Sequence, residues 1–351
     1  MRYTTFGRRT GLRISQYALG TGNFGTGWGA GTERGEAKTI FDRFVEAGGN
    51  FIDTADTYQA GQSEQLVGEF IHADRDDLVL ATKFTVGANP DPKLSRTGNA
   101  RKNLRVSVEE SLTRLDTDYI DVLWVHYPDA LTPIDELLRG LDDLVTQGKI
   151  LYAAFSNFPA WRVSRASLLA EVSGWAPVAG IQVEYSLVER TAERELLPMA
   201  EALGLGVTLW SPLGGGLLTG KYRQSQDGRL SDWNNLVHTE SSEQKTAIMD
   251  AVIEIAEQVG RTPAQVATAW VSERSRRLAT TGVPIIGPRH VAQLDDYLGA
   301  LTLALTDEQY DRLDEISTID LGIPHQANTK ALNRLQGGLA ESVDGPAVPV
   351  F

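Results

Sequence analysis

Short apolar runs recur along the chain, and amphipathic stretches separate them. Most of the runs are continuous rather than alternating in polarity, which is typical of parallel strands that are covered on both faces. The eight runs are residues 17–20, 51–54, 78–83, 119–126, 150–155, 179–183, 207–210 and 283–286. Before the first run, residues 3–14 predict two short strands around a glycine-containing turn.

The stretches between the runs carry apolar residues at helical spacing, most clearly at residues 37–47, 104–115, 134–146 and 193–203. Eight strand–helix units within ~250–350 residues favour a single closed (β/α)8 TIM barrel over the alternative, two doubly wound domains. We therefore expect one domain, with an N-terminal β-hairpin plug (1–15), a barrel (16–316) and a C-terminal loop and tail (317–351).

Two segments interrupt this alternation. Residues 214–242 form a long polar insertion after the seventh run, and residues 331–351 form a tail with several glycines and prolines. Because long loops in compact domains are usually functional or disordered, we expect long loops on the face formed by the carboxyl ends of the strands.

A glycine-rich motif, GTGNFG at residues 20–25, matches the dinucleotide fingerprint G-x-G-x-x-G. The Rossmann interpretation requires the last glycine to begin a helix that receives the pyrophosphate. Here the chain continues TGWGAG at residues 26–31, which disfavours a helix. The motif therefore favours a loop on the active face, where glycines allow the backbone to approach a ligand closely.

Polar residues stand at or just after the ends of consecutive predicted strands. Asp53 and Tyr58 follow the second run, Lys83 ends the third and His126 ends the fourth. Each of them alone has an ordinary structural explanation, such as a rim lysine whose stem covers apolar surface. Their joint occurrence on one face of a barrel indicates an active site, because catalytic groups of this fold lie at the carboxyl ends of strands.

These residues resemble the Asp–Tyr–Lys–His tetrad of the aldo-keto reductases. The surrounding phrases resemble the same family, and they are GNFIDTADTY (49–58), TDYID (117–121), GKI (148–150), SNF (156–158), WSPLGGGLLTGK (210–221) and IGPR (286–289). The matching phrases occur in the same order as in the family, from about residue 3 to residue 325. Within the family, the chain is most similar to bacterial members that end in LGIPH (321–325). It implies an NADP(H)-dependent oxidoreductase that reversibly reduces aldehydes and ketones to alcohols.

The implied roles agree with elementary chemistry. Delivery of a hydride to a carbonyl builds negative charge on oxygen, which needs a proton and electrostatic stabilisation. Tyr58 is expected to donate that proton, and the Lys83 ammonium is expected to lower the pKa of its phenol. Asp53 would keep Lys83 charged and oriented, and His126 would orient the carbonyl.

The resemblance also implies the cofactor contacts. The matching positions are Gly22, Asn23, Asp53, Ser156, Asn157, Gln182 and Trp210 near the nicotinamide, Ser211, Leu213, Gly215 and Lys221 at the phosphates, and Gly287, Arg289, Gln293 and Asp296 at the 2′-phosphate and adenosine. The chain departs from the family pattern at Ala154, where glycine is usual, and at Tyr297, where an asparagine commonly faces adenine. The insertion 214–242 is expected to fold over the pyrophosphate.

Aromatic residues near these positions predict the substrate pocket. We expect Trp28, Phe84 and Trp124 to form its wall, which would suit carbonyl compounds with apolar or sugar-like bodies. His72, His238 and His290 lack metal-ligand spacing, so we expect them at the surface and predict no metal site.

Composition narrows the function further. The chain has 351 residues, a formal charge of -13 and no cysteine, which excludes disulfides, thiolate metal sites and a cysteine nucleophile. The acidic balance argues against nucleic-acid or anionic-membrane partners. No apolar run approaches the ~20 residues of a membrane span and no signal-like start is present, so we expect a cytoplasmic enzyme. The functional alternatives are a redox-sensing regulatory subunit with little turnover and a cofactor-free scaffold. The natural substrate, reaction direction and oligomeric state stay open.

Overall fold

A closed parallel barrel organises the chain in the computed structural model, which describes residues 1–223 and 238–348. The strands β1 to β10 are Tyr3–Thr5, Arg13–Ser15, Ala18–Gly20, Phe51–Asp53, Val79–Phe84, Ile120–Val125, Ile150–Ser156, Val178–Glu184, Gly206–Trp210 and Gly282–Ile286. Strands β3 to β10 close in chain order, with β10 pairing β3, so the (β/α)8 fold is confirmed. Each predicted apolar run coincides with one barrel strand to within a few residues.

Helices follow the barrel strands and cover the outside of the barrel. In the described part of the chain, α1 to α11 are Arg34–Glu46, Gln62–Ile71, Arg101–Leu115, Ile134–Thr146, Ala160–Ser173, Leu196–Leu203, Glu243–Val259, Pro263–Arg277, Val291–Ala300, Asp307–Ser317 and His325–Leu335. Helix α4 illustrates the packing, because it buries Ile134, Leu137, Leu138, Leu141 and Leu144, one apolar stripe at helical spacing. None of the helices in the described residues has the length and apolarity needed to cross a membrane.

The N-terminal hairpin closes the floor of the barrel. Strands β1 and β2 pair antiparallel, and Phe6, directly after β1, is fully buried inside the barrel. Its ring meets Phe51 and Trp124 edge-on at centroid distances of 6.1 and 6.0 Å. Gly180 and Gly206 leave room for this ring, because a Cβ on either glycine would lie 2.4 Å from it. The predicted plug is therefore confirmed.

The C-terminal region is more helical than the sequence analysis predicts. Helix α11 lies inside the expected loop and tail, and it runs past residue 331, where the glycine- and proline-containing tail was expected to begin. All of its residues are at least partly exposed. The insertion 214–242, which is expected to fold over the pyrophosphate, lies in part outside the described residues, because residues 224–237 are not among them.

Candidate active site

Three of the predicted catalytic side chains meet at the mouth of the barrel. Lys83, near the end of β5, is fully buried and donates to Asp53 Oδ2 at the end of β4 (2.5 Å). It also donates to the carbonyl oxygen of Thr54 (2.8 Å) and to the Tyr58 hydroxyl (3.1 Å). An ammonium has three N–H donors, so these contacts fix its orientation fully.

The short segment after β4 carries the tyrosine to this position. The amides of Thr54 and Asp56 donate to the carbonyl oxygens of Ala81 (2.9 Å) and Lys83 (3.0 Å), which continues the strand pairing beyond Asp53. A turn then follows, in which the Tyr58 amide donates to the carbonyl oxygen of Ala55 (3.1 Å). The pairing of neighbouring strands therefore determines where the phenol lies.

His126 completes the tetrad directly after β6. Its amide donates to the carbonyl oxygen of Phe84 (3.0 Å), and its ring meets Tyr58 edge-on at 6.0 Å. Burial, together with the nearby Lys83 ammonium, lowers the pKa of His126 well below its ordinary value. The imidazole is therefore neutral at physiological pH, and it can offer one N–H to a carbonyl oxygen.

The phenol is protonated at neutral pH. Burial raises the pKa of Tyr58, and the Lys83 ammonium only partly offsets this effect. The expected lowering of this pKa is therefore not the net result. Burial also lowers the pKa of Lys83, but Asp53 and Tyr58 outweigh that effect and raise it. The site thus holds a neutral phenol hydrogen-bonded to a permanent ammonium.

Two exposed aromatic side chains flank the tyrosine and the histidine. Trp28 is 39% exposed and meets the Tyr58 ring edge-on at 6.1 Å. Tyr127 is 46% exposed and stacks on the His126 imidazole at 4.5 Å. Trp28 was predicted at the pocket, whereas Tyr127 was missed, although its place directly after the strand-end His126 was a usable signal.

The other two pocket predictions are wrong. Phe84 is fully buried on the outer side of the barrel, among residues of the layer between the strands and the helices. Trp124 is fully buried inside the barrel, where it packs against Phe6 of the plug. Side chains alternate between the two faces of a strand, so Phe84 faces away from the interior that Lys83 enters.

The predicted nicotinamide contacts lie around the tetrad. Gln182 on β8 donates from Nε2 to Asp53 Oδ1 (3.0 Å) across the barrel. Asn157 donates from Nδ2 to the His126 carbonyl oxygen (3.1 Å) and to the Ser156 hydroxyl (3.0 Å). Gly22 faces Tyr58, because a Cβ placed there would lie 3.7 Å from the phenol ring.

The predicted phosphate loop follows β9. Trp210 ends that strand, Ser211 has a φ of 57°, and Gly214, Gly215 and Gly216 all have positive φ values. Leu213 is buried in the outer core, and Lys221 lies with its ammonium 4.8 Å from the Tyr222 ring centroid. A left-handed backbone in non-glycine residues costs energy and is concentrated at functional sites.

Of the predicted 2′-phosphate and adenosine positions, Gly287 and Arg289 lie in the turn between β10 and α9, and Gln293 and Asp296 lie on α9. Asn23 Nδ2 donates to the carbonyl oxygen of Gly287 (3.0 Å), and the Arg289 amide donates to Gln293 Oε1 (2.8 Å). Asp296 accepts from the Thr262 hydroxyl (2.9 Å) on the exposed surface. Tyr297, where the chain departs from the family pattern, is buried in the core rather than directed to the surface.

The residues at the mouth fit a bound nicotinamide dinucleotide. Ser156, Asn157 and Gln182 supply the hydroxyl and amide groups that a carboxamide can pair with, at the ends of β7 and β8. The turn after β9 has three consecutive glycines with positive φ, and Gly216 and Lys221 of this segment are partly exposed, which suits a phosphate cradle. The donor set therefore agrees with the cofactor that the sequence analysis expects.

Comparison with known proteins places the chain in a family. The profile described as the Aldo/keto reductase family matches residues 17–318. The chain belongs to the aldo/keto reductase family. It is therefore an oxidoreductase that acts on carbonyl compounds and alcohols. Members of this family typically use a nicotinamide cofactor.

Individual relatives are similar over most of their length. The chain is 36% identical over 323 residues to a norsolorinic acid reductase of Aspergillus flavus, covering 90% of this chain and 80% of the relative. It is 34% identical over 323 residues to an aryl-alcohol dehydrogenase of Pestalotiopsis microspora, covering 90% and 82%. It is 31% identical over 365 residues to an aldo-keto reductase of Aspergillus calidoustus, covering 99% and 90%.

Proposed function

We propose that this reductase is NADP(H)-dependent, that it interconverts aromatic aldehydes or ketones and their alcohols, and that Tyr58 is its proton donor. The observation that carries the proposal is the hydrogen-bonded series from Asp53 through Lys83 to the Tyr58 hydroxyl, with the neutral His126 beside it. The bound cofactor supplies the hydride, and every other task falls to the side chains at the mouth.

Tyr58 and Lys83 act together in the proposed reduction. Tyr58 passes its proton to the carbonyl oxygen, and Lys83, 3.1 Å from the phenol oxygen, stabilises the phenolate that this transfer leaves. Asp53 keeps the ammonium in place, and His126 holds the carbonyl oxygen near the phenol through one N–H. In the oxidation direction Tyr58 accepts the proton of the alcohol, as reversibility requires.

The aromatic substrate class is supported by the rim of the mouth. Trp28 contacts the Tyr58 ring and Tyr127 stacks on the His126 ring, and both present exposed aromatic surface against which a flat aryl group can pack. The names of two relatives, a norsolorinic acid reductase and an aryl-alcohol dehydrogenase, agree with such a substrate.

Preference for NADP(H) over NAD(H) is assigned to Arg289. The residue lies in the turn between β10 and α9, at the position that the family resemblance matches to the 2′-phosphate. A guanidinium suits the geometry of a phosphate. Arg289→Ala is expected to raise the KM for NADPH at least tenfold and to leave the KM for NADH within about twofold. Equal changes for the two cofactors would contradict this assignment.

The test of the proposal is NADPH oxidation in the presence of benzaldehyde, acetophenone and cyclohexanecarboxaldehyde. We expect turnover with the aromatic compounds. Tyr58→Phe should lower kcat by roughly 10²–10⁴-fold, because it removes the hydroxyl that donates the proton and leaves the rest of the side chain unchanged. Tyr127→Phe, which removes the oxygen of a neighbouring tyrosine, is the matched control and should keep most of the activity. Unchanged turnover of Tyr58→Phe would contradict the acid role.

The substrate class is tested separately. Tyr127→Leu should lower kcat/KM for benzaldehyde more than for cyclohexanecarboxaldehyde, since the two aldehydes have six-membered rings and differ in aromaticity. Equal losses would contradict the aryl assignment while leaving the reductase assignment intact. Tight NADPH binding without turnover of any carbonyl compound would instead support the regulatory-subunit alternative.

A further inference from the structure

A buried carboxyl group that the proposed mechanism does not use lies between the catalytic aspartate and the catalytic tyrosine. Asp56 is 1% exposed, and it belongs to the segment that continues the pairing of β4 with β5 and then turns to Tyr58. Its backbone amide holds the carbonyl oxygen of Lys83 (3.0 Å), so the residue is anchored directly beside the catalytic cluster.

The side chain of Asp56 connects this segment to the next loop of the mouth. Its Oδ2 accepts a hydrogen bond from the amide of Gly87 (3.2 Å), in the loop after β5. Its second oxygen, Oδ1, is buried and has no hydrogen-bond partner among the described residues. A buried oxygen without a partner is costly, and an ionised one is more costly still.

The charged groups around Asp56 do not supply a counter-ion. Glu64 on α2 is fully buried and accepts from Arg114 Nε of α3 (2.6 Å) and from the Thr82 hydroxyl of β5 (2.6 Å). Among the described residues, Arg114 is the one cation of the cluster that it forms with Asp56 and Glu64, and its guanidinium pairs with Glu64, so two buried acids share one cation. Charge balance requires one proton, and Asp56 is the acid without an ion-pair partner among the described residues.

The titration of Asp56 follows from this environment. Burial and the charge of Glu64 raise the pKa of Asp56 to about 8, while Arg114 and the amides of Gly87 and Thr57 offset only part of that effect. The carboxyl group is therefore mostly neutral at pH 7 and becomes ionised above pH 8.

We propose that Asp56 is a positioning residue for Tyr58, and this proposal rests on the reductase function proposed above. The neutral carboxyl group of Asp56 fixes the segment 54–58 against the loop after β5. Ionisation puts an uncompensated charge next to Glu64, and the segment that carries Tyr58 must move to relieve it. The proton donor then loses its alignment although its own proton is still in place.

The pH dependence of turnover tests this role. We measure kcat and KM for NADPH-dependent reduction of benzaldehyde from pH 5.5 to 10 for the wild type, Asp56→Asn, Asp56→Ala and the exposed control Asp91→Asn. The wild type and the control should lose activity in one step near pH 8, because the pKa of Tyr58 is raised above its ordinary value of 10 and its ionisation lies beyond the measured range. Asp56→Asn, which mimics the neutral acid, should keep kcat within about twofold at pH 6.5 and lack the step near pH 8.

The alanine variant separates positioning from a passive structural role. Asp56→Ala removes the contact with Gly87, so kcat should fall at least tenfold relative to wild type below pH 8 while the KM for NADPH changes little. The amide variant restores this kcat. An Asp56→Asn profile that keeps the step near pH 8, or an Asp56→Ala enzyme with wild-type kcat, overturns the proposal.

A second measurement is independent of turnover. The Tm of Asp56→Asn minus that of the wild type should widen from pH 5 to pH 8 and stay constant above, because the folded wild type retains a proton that the unfolded chain loses. A constant difference over this range overturns the proposal whatever the turnover. A widening difference in a chain that reduces no carbonyl compound contradicts only the reductase function.

Discussion

The buried Asp53–Lys83 pair allows stability and activity to be separated by a pair of substitutions. Lys83 is 0% and Asp53 2% exposed, and the ammonium donates to Asp53, the Thr54 carbonyl oxygen and Tyr58. Lys83→Met leaves the Asp53 carboxylate in the barrel with Gln182 as its remaining side-chain partner among the described residues. Removing one member of a buried ion pair costs about 3–5 kcal/mol of unfolding free energy, so we expect a loss in that range.

The double variant should recover stability without recovering activity. Asp53→Asn alone leaves the Lys83 ammonium without its counter-ion, and its cost should be of similar size. In Asp53→Asn/Lys83→Met neither charge remains, so the double variant should be at least ~2 kcal/mol more stable than the sum of the single losses predicts. On the proposed function, its kcat should stay at least ~10²-fold below wild type, because Tyr58 then still lacks the ammonium that stabilises its phenolate.

Urea unfolding at pH 7 and NADPH oxidation with benzaldehyde, measured on the same four chains, provide the comparison. The exposed Lys93→Met is the control for loss of a lysine and should change neither quantity appreciably. Additive losses of stability would refute the reasoning about the buried pair. A double variant with near wild-type kcat would refute the catalytic role of Lys83.

Three further predictions follow from the geometry. For Asp56, with a pKa of about 8, the unfolding free energy of the wild type relative to Asp56→Asn should fall by about 3 kcal/mol from pH 5 to pH 7 in urea titrations, since each pH unit contributes about 1.4 kcal/mol; a change below 1 kcal/mol contradicts it. Gly206→Ala places a Cβ 2.4 Å from the Phe6 ring and should cost about 1–3 kcal/mol, partly restored by adding Phe6→Leu; an unchanged urea midpoint contradicts it. Since the pKa of His126 is lowered far below 6.5, kcat for reduction should show no step between pH 6 and pH 7, and a step that His126→Gln removes would contradict the neutral imidazole.

The barrel and the tetrad were predictable from the sequence because both depend on local patterns. Most barrel strands are continuous apolar runs, and Asp53, Lys83 and His126 stand at or next to the ends of three consecutive strands. Parallel neighbours bring their carboxyl ends to one face, so position along the strand was enough to bring these side chains together.

Side-chain direction was the main source of error. Phe84 follows Lys83 on the same strand, and the alternation of strand side chains directs it to the outer layer once Lys83 faces the interior. Trp124 does face the interior, but it packs down onto Phe6, whose position depends on a hairpin more than a hundred residues away in sequence. The Asp56–Glu64–Arg114 cluster was missed for the same reason, since Arg114 reaches it from a separate helix.

The charges at the mouth divide between chemistry and cofactor binding. Asp53 neutralises Lys83, Glu64 neutralises Arg114, and Asp56, Tyr58 and His126 are neutral at pH 7, so the tetrad and the acids behind it carry no net charge. A site without net charge contributes little long-range attraction to an anionic dinucleotide, and the chain as a whole is at -13. On the proposed function, the phosphates must then be held by local groups away from the tetrad, at Lys221 and Arg289. Substitution of either should therefore weaken NADPH binding and leave kcat at saturating cofactor nearly unchanged.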